Sequence, residues 1–337
     1  MAADAARASR LPRARRKSLT KRAWWGPAKR VLTFAFFALV LGLVAHQART
    51  VDWGAVRTSL LAYPASTLLT AAALAATSFI VYCSYDLIGR HQTRHGLPAR
   101  RVAAIAFTSY AFNLNLGSLV GGVAFRYRLY SRRGLRTETI TQVLALSMLT
   151  NWLGYLVVGG LVFALAPLAL PPDWRIGSEG LRLLGAAMLA GALAYLATCA
   201  FATRRVWHVR GHEVKLPSAR IAVLQLAVSA INWLLIAAVV WTLLQHRIEY
   251  PTVLSVLLVA AVAGVITHVP AGLGVLEAVF VTLLSHRVPQ GELLAALVAY
   301  RAVYYLGPLA IACGVLMVLE RKSAGARKDQ RDVATTR

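Results

Sequence analysis

Apolar residues run in long blocks along this chain, separated by short stretches in which arginine recurs. Six blocks are continuous: Val31–Ala48, Ser66–Ile88, Ile140–Ala166, Leu181–Ala202, Ile221–Leu244 and Leu293–Leu319. Each is near or above the roughly 20 residues a helix needs to cross a hydrocarbon core of about 30 Å. Two further blocks, Val102–Val123 and Thr252–Leu284, are apolar but interrupted by Gly, Asn or Pro. With 58% hydrophobic residues and a mean hydropathy of +0.59, the pattern predicts an all-α polytopic membrane protein.

Charge placement decides how the interrupted blocks run. The tail before the first span carries ten Lys/Arg and one acid, which places the N-terminus in the cytoplasm. If all eight blocks cross, 23 Lys/Arg fall inside and 13 outside. If the two interrupted blocks enter and return on one side, 30 fall inside and six outside. The second arrangement obeys the positive-inside bias far better. It predicts six full spans and two re-entrant hairpins, with both termini cytoplasmic. Length agrees for the second hairpin: the 12 residues Gly274–Ser285 give about 18 Å of helix, too short to cross alone.

This layout has an internal symmetry. Residues 31–167 read span, span, hairpin (about 102–125), span, starting inside. Residues 181–319 repeat that order starting outside, with a hairpin at about 252–285. Such an inverted-topology repeat is common among secondary transporters. A short echo accompanies it: "NWLGY" at 151–155 and "YYLGP" at 304–308. Tails at 1–30 and 320–337 complete the chain.

Irregular backbone cannot face lipid, so both tips, "NLNLGSLVGG" (113–122) and "HVPAGLG" (268–274), are expected to point inward. A half-helix starting near Leu273 or Gly274 leaves free N–H groups and a partial positive charge, suited to a phosphate or carboxylate. Asn113, Asn115 and Ser118 add neutral donors. Gly117, Gly121, Gly122, Gly272 and Gly274 either admit a ligand to the backbone or allow close helix packing, and Pro270 breaks the helix. Arg301 lies inside the last block, flanked by Tyr300, Tyr304 and Tyr305. It reads as a phosphate-binding arginine, as an ion-pair partner of Glu277, or both. Glu277 complements the helix dipole, carries a proton, or shapes a site for a cationic headgroup. His268 reads as a satisfied polar residue or a titrating one. Arg126 and Arg128 either collect anionic headgroups or anchor the inner interface. Asp86 is expected to cap or pair locally, Asn151 and Asn232 to hydrogen-bond between helices, and Gly307–Pro308 to kink the last helix.

Other chemistry is poorly supported. The net charge of +24 suggests nucleic acid only if its placement is ignored, and no nucleic-acid partner is expected. The first apolar run is too long for a signal-peptide core and lacks a clear cleavage site. Cys83, Cys199 and Cys313 have no metal or redox spacing and read as packing residues. Without Walker, GxSxG or HExxH motifs, no catalytic residue, metal or cofactor is expected, and the chain is not read as an enzyme. The expected ligands are anionic membrane lipids. A homodimer and a lipid-synthesis enzyme are the protein partners considered.

"HVPAGLGVLEAVF" followed by "LLAALVAYRAVYYLGPL", with "FNLNLGSLVGGVAFRYRLYSR" in the first half, resembles the lysylphosphatidylglycerol synthase transmembrane family over roughly residues 30–320. That family includes the flippase region of the multiple peptide resistance factor and stand-alone YbhN-like proteins. The matching positions are the Pro270–Gly274 tip, Glu277, Tyr300 and Arg301. The resemblance implies a bacterial inner-membrane protein that moves or handles lipids. Residues 1–337 contain no aminoacyl-transfer domain, so lipid aminoacylation is not expected of them. The reading is a lipid translocase for an anionic phospholipid or polyprenyl phosphate. The rivals are a membrane-embedded lipid-modifying enzyme and a regulatory partner of one.

Overall fold

The computed structural model describes residues 53–166, 168, 177–203, 206–209, 212–267 and 272–320, with Gly42 and Arg49 besides. Apart from Gly42 the expected span Val31–Ala48 lies outside the described residues, as do the basic tails 1–30 and 321–337 and residues 268–271, including His268 and Pro270.

Helix α1 (Trp53–Leu61) precedes Pro64, and α2 (Ala65–Thr93) starts directly after it. α3 (Ala99–Leu116) follows Pro98. In both cases the proline holds extended ψ and a preset φ at the N-cap, which launches the helix behind it. A π-helical segment π1 (Ser118–Ala124) and α4 (Phe125–Ser131) follow, then the long α5 (Thr137–Leu165) and α6 (Ser178–Phe201). A two-stranded antiparallel ribbon, β1 (Val206–Val209) and β2 (His212–Lys215), pairs Val206 with Lys215. After it come α7 (Ala219–Leu243), α8 (Tyr250–Thr267), α9 (Val275–Leu284) and α10 (Gln290–Tyr300), then π2 (Arg301–Leu306). α10 and π2 lie within one helix reaching Glu320. All these elements belong to one unit, Gln47–Arg337.

Six described helices are long and apolar enough to cross a membrane: α2, α5, α6, α7, α8 and Gln290–Glu320. Five match expected spans. The sixth, α8, was expected as one arm of a hairpin, yet its 18 residues suffice for a span by length and composition. Outward-facing positions carry Leu69, Ile80, Leu165, Leu193, Ile266 and Ile311. Such an apolar exterior is stable in lipid and costly in water. The ribbon is a small addition to an otherwise all-helical fold. Its strands are rich in valine, which favours extended backbone, but four residues each are too few to stand out beside 20-residue runs.

Interhelical contacts define two ends. At one end the Tyr63 hydroxyl donates to the Leu243 carbonyl (2.8 Å). There too Arg287 meets Glu249 (3.0 Å) and Arg247 meets Glu292 (2.6 Å). At the other end Arg128 and Arg132 both reach Glu320, and Arg133 donates to the Leu319 carbonyl (3.1 Å). His95 sits edge-on to Tyr130 nearby. Between the ends Ser78 of α2 donates to Asn232 of α7 (2.7 Å).

The chain doubles back twice. In a straight helix Phe112 and Phe125 would stand about 20 Å apart. Instead their rings stack with centroids 4.3 Å apart. Gly121 makes the reversal sterically feasible. A Cβ there would lie 2.1 Å from the Asn113 nitrogen and 2.2 Å from the Phe112 carbonyl carbon. Gly121→Ala is therefore expected to destabilise the protein by about 1–3 kcal/mol, the usual overpacking range, read as a lower melting temperature in detergent. The second reversal joins α8 to α9. The Glu249–Arg287 pair ties the start of α8 to the residues just after α9, so their outer ends meet at one face. Gly272 and Gly274 take positive φ (57° and 78°) at the turn, and Gly274 caps α9.

The last helix changes register ahead of Pro308. Pro308 has no N–H to offer the Tyr304 carbonyl, and the register slips before it. The Gly307 N–H donates to the Ala302 carbonyl, five residues back, and π2 is the result.

Candidate functional site

π2 sits near the middle of the 31-residue helix Gln290–Glu320, and both turns bond to it. From the first turn, the Asn115 amide donates to the Tyr305 carbonyl (3.2 Å). From the second, Gly272 offers its carbonyl to Arg301 Nη2 (3.1 Å). The π register exposes backbone that an α-helix would have consumed, and Asn115 uses it, whereas Gly272 meets the Arg301 side chain.

Arg301 is the charged centre. Its Nε donates to Glu277 Oε1 (2.6 Å) and its Nη2 to Glu277 Oε2 (3.0 Å), a two-pronged pair. Its guanidinium lies 5.5 Å from the centroid of the Tyr305 ring. Glu277 occupies the first turn of α9, where the free N–H groups favour a carboxylate. The pair is 14% and 20% exposed, so it is reachable. A side-chain methyl at Gly272 or Gly274 would meet no atom within 4 Å, so the backbone beside the pair is open.

The remaining expected residues divide by environment. Ser118 is exposed, and Gly117 and Asn113 are half-buried. Gly117 turns the chain at φ 83° with open space around it. Gly121 and Gly122 are packing glycines. A Cβ on Gly122 would sit 2.8 Å from Asn113 Oδ1. Tyr300 and Tyr304 are buried rather than lining an accessible wall. The Tyr304 hydroxyl hydrogen-bonds Ser78 (2.7 Å) and Tyr110 (3.2 Å), tying π2 to α2 and α3.

Arg126 is also locked away, at 2% exposure. It donates to Asp86 from Nε (3.1 Å to Oδ2) and Nη2 (3.1 Å to Oδ1), and to the Gly122 carbonyl (3.1 Å). Tyr130 donates its hydroxyl to the same carboxylate (2.8 Å). With its donors committed to Asp86 and its neighbours, Arg126 holds the return arm of the first hairpin onto α2. That is a structural duty rather than headgroup capture.

Sequence reading expected Asn151 and Asn232 to bond between helices, as they do, but missed the rest of the polar stripe behind this site. Ser78 and Tyr85 on α2 and Gln225, Ser229 and Asn232 on α7 are all buried, and Ser78 bonds Asn232 across the two helices. Gln225 donates to Thr150 (2.8 Å), and Ser229 to the Asn151 carbonyl (3.1 Å). The spacing of three and four residues on α7 was a usable signal.

This set of long apolar helices, with two hairpin turns on one π-bulged helix, is a multi-pass membrane architecture. The chain belongs to the family described as "Lysylphosphatidylglycerol synthase TM region", which it matches over residues 30–312. It is 42% identical to the "Inner membrane protein YbhN" of Escherichia coli (strain K12) over 304 residues, 90% of this chain and 96% of that protein. It is 30% identical to the "Uncharacterized protein slr0712" of Synechocystis over 298 residues, 87% and 92% of the two chains. A shorter likeness, 34% over 89 residues, links 25% of this chain to 11% of the "Phosphatidylglycerol lysyltransferase" of Staphylococcus haemolyticus.

Proposed function

We propose that this protein is a bacterial inner-membrane lipid translocase that is not itself an enzyme. Its cargo is an anionic phospholipid or polyprenyl-phosphate lipid. The headgroup is held by Arg301, the open Gly272–Gly274 backbone and the N-terminus of α9. The observation that carries the reading is the two-pronged, reachable Arg301–Glu277 pair at mid-helix, bounded by two broken hairpins. A charge at that depth costs roughly 2.5–3.5 kcal/mol on insertion scales, so its retention calls for a use. The name of the Escherichia coli relative accords with an inner-membrane location, and the lysyltransferase likeness accords with a lipid ligand.

In this reading both hairpins are re-entrant. α3–π1–α4 enters from the cytoplasmic face and α8–α9 from the other, within an inverted repeat. Support comes from the contacts at the two ends. Arg128, Arg132 and Arg133 lie with the end of the last helix, whereas Arg247 and Arg287 lie at the opposite face. The echo residues Asn151 and Tyr304 also stand equally far from their helix starts, Thr137 and Gln290. Rocking of the two halves would then expose the pair to each side in turn.

Two experiments test this. In proteoliposomes, a fluorescent phosphatidylglycerol is expected to cross leaflets faster than in protein-free vesicles. Equal rates overturn the translocase, and a covalent change in extracted lipid would favour a lipid-modifying enzyme instead. For topology, Ser131→Cys should react with a membrane-impermeant maleimide only from the cytoplasm, and His286→Cys only from the other side. Reaction of both from one side removes the re-entrant arrangement.

A further inference from the structure

Among the described residues two arginine–carboxylate pairs lie within the helical body, and they differ in access. Asp86–Arg126 is sealed, at 0% and 2% exposure, and the carboxylate takes a further hydrogen bond from Tyr130. Glu277–Arg301 is open, at 20% and 14%. There each Glu277 oxygen accepts one guanidinium N–H, which leaves lone pairs available to a proton.

Among the described residues the surroundings of Glu277 are sparse in charge. π2 presents Arg301 and Tyr305, and α10 ends in Tyr300. α9 has no second ionisable group, and α8 carries only Tyr250, at its far end. Among the described residues around the pair, Arg301 is thus the cation that balances Glu277. An anionic headgroup that takes the two Arg301 donors strips Glu277 of that balance. It also brings a second negative charge beside the carboxylate in a partly dehydrated place. A proton on Glu277 would relieve both.

We propose that Glu277 takes up one proton as a lipid phosphate displaces it from Arg301, so that headgroup and proton travel together. The proposal rests on the translocase reading. The balance is simple. One O–H bond forms on Glu277 with a proton drawn from water, and no bond in the lipid breaks. One negative and one positive charge enter, so the site stays neutral. On release the O–H ionises and the guanidinium returns to Glu277. A phosphodiester headgroup with a single negative charge is matched by one proton. A phosphomonoester, at about −1.5 to −2 near neutral pH, is not.

The test titrates the purified full-length chain in detergent with short-chain phosphatidylglycerol in weakly buffered solution, with a pH dye present. One proton should be taken up per lipid bound. Affinity should fall as pH rises, approaching about tenfold per unit, because each binding event consumes a proton. Glu277→Gln should bind with no uptake and a flat pH profile. Binding without uptake in the wild type, or an unchanged slope in Glu277→Gln, overturns the proposal. A proteoliposome arm separates it from the translocase reading. Transfer that ignores an imposed proton gradient overturns coupling and leaves translocation standing. Proton-linked binding without transfer overturns translocation and leaves the linkage standing. Absence of phosphatidylglycerol binding overturns both.

Discussion

Arg301→Ala is expected to slow transfer of an anionic lipid by roughly ten- to a hundredfold, the equivalent of about 1.5–3 kcal/mol for hydrogen bonds to a charged group. The substitution removes the cation proposed to meet the phosphate. It also leaves Glu277, 20% exposed, facing the headgroup with its own negative charge. Arg301→Lys should recover only part of the rate. An ammonium supplies the charge but cannot present two parallel donors, as Nε and Nη2 do to the Glu277 oxygens. A neutral labelled lipid in the same vesicles serves as the comparison. If both lipids slow equally, Arg301 supports the fold and not the headgroup. If neither slows, the pair has no part in transport.

Folding controls are informative because Arg301 also ties π2 to the second turn through the Gly272 carbonyl. A variant that melts near the wild-type temperature yet transfers anionic lipid slowly would separate recognition from stability. Tyr305→Leu provides a milder probe. It removes the ring 5.5 Å from the guanidinium while leaving the Glu277 contacts in place.

The helices were legible because lipid demands long apolar runs, and such runs survive any reading frame of packing. Helix α1 was not, since nine residues fall far below span length. The start of α9 was legible because Gly272 and Gly274 punctuate an otherwise continuous block, and the break falls where Gly274 caps the helix. Arginine placement also carried information. It grouped Arg128, Arg132 and Arg133 with the C-terminal end of the chain, and the contacts with Glu320 and Leu319 put them there.

What stayed hidden was pairing across distance. Nothing local says that Arg126 belongs to Asp86, 40 positions away, so Arg126 looked available for headgroups. Burial within a bundle was equally opaque. Tyr304 next to a charged residue suggests an aromatic wall, but the π register turns it inward onto Ser78 and Tyr110. Gly121 and Gly122 had two readings, ligand access or close packing. Only the stacked return of Phe125 onto Phe112 decides for packing.

Asp86→Ala should be among the most destabilising single changes in the described core, by about 3–5 kcal/mol, the range for breaking a buried pair from one side. Arg126 would keep the Gly122 carbonyl at 3.1 Å and longer contacts of 3.4 Å to Tyr82 and Ser147, but no counter-charge. At 2% exposure, water cannot make up the loss. The return arm of the first hairpin would loosen from α2, and with it the Asn115 contact that holds the first turn to π2. Replacing both partners, as Asp86→Leu with Arg126→Met, should recover most of the stability, since a neutral apolar pair carries no desolvation penalty. Thermal denaturation in detergent measures both variants. If Asp86→Ala melts with the wild type, the pair does not hold the hairpin. If the double variant melts as low as the single one, the latch needs its charges for geometry, and the loss is not simply an uncompensated guanidinium.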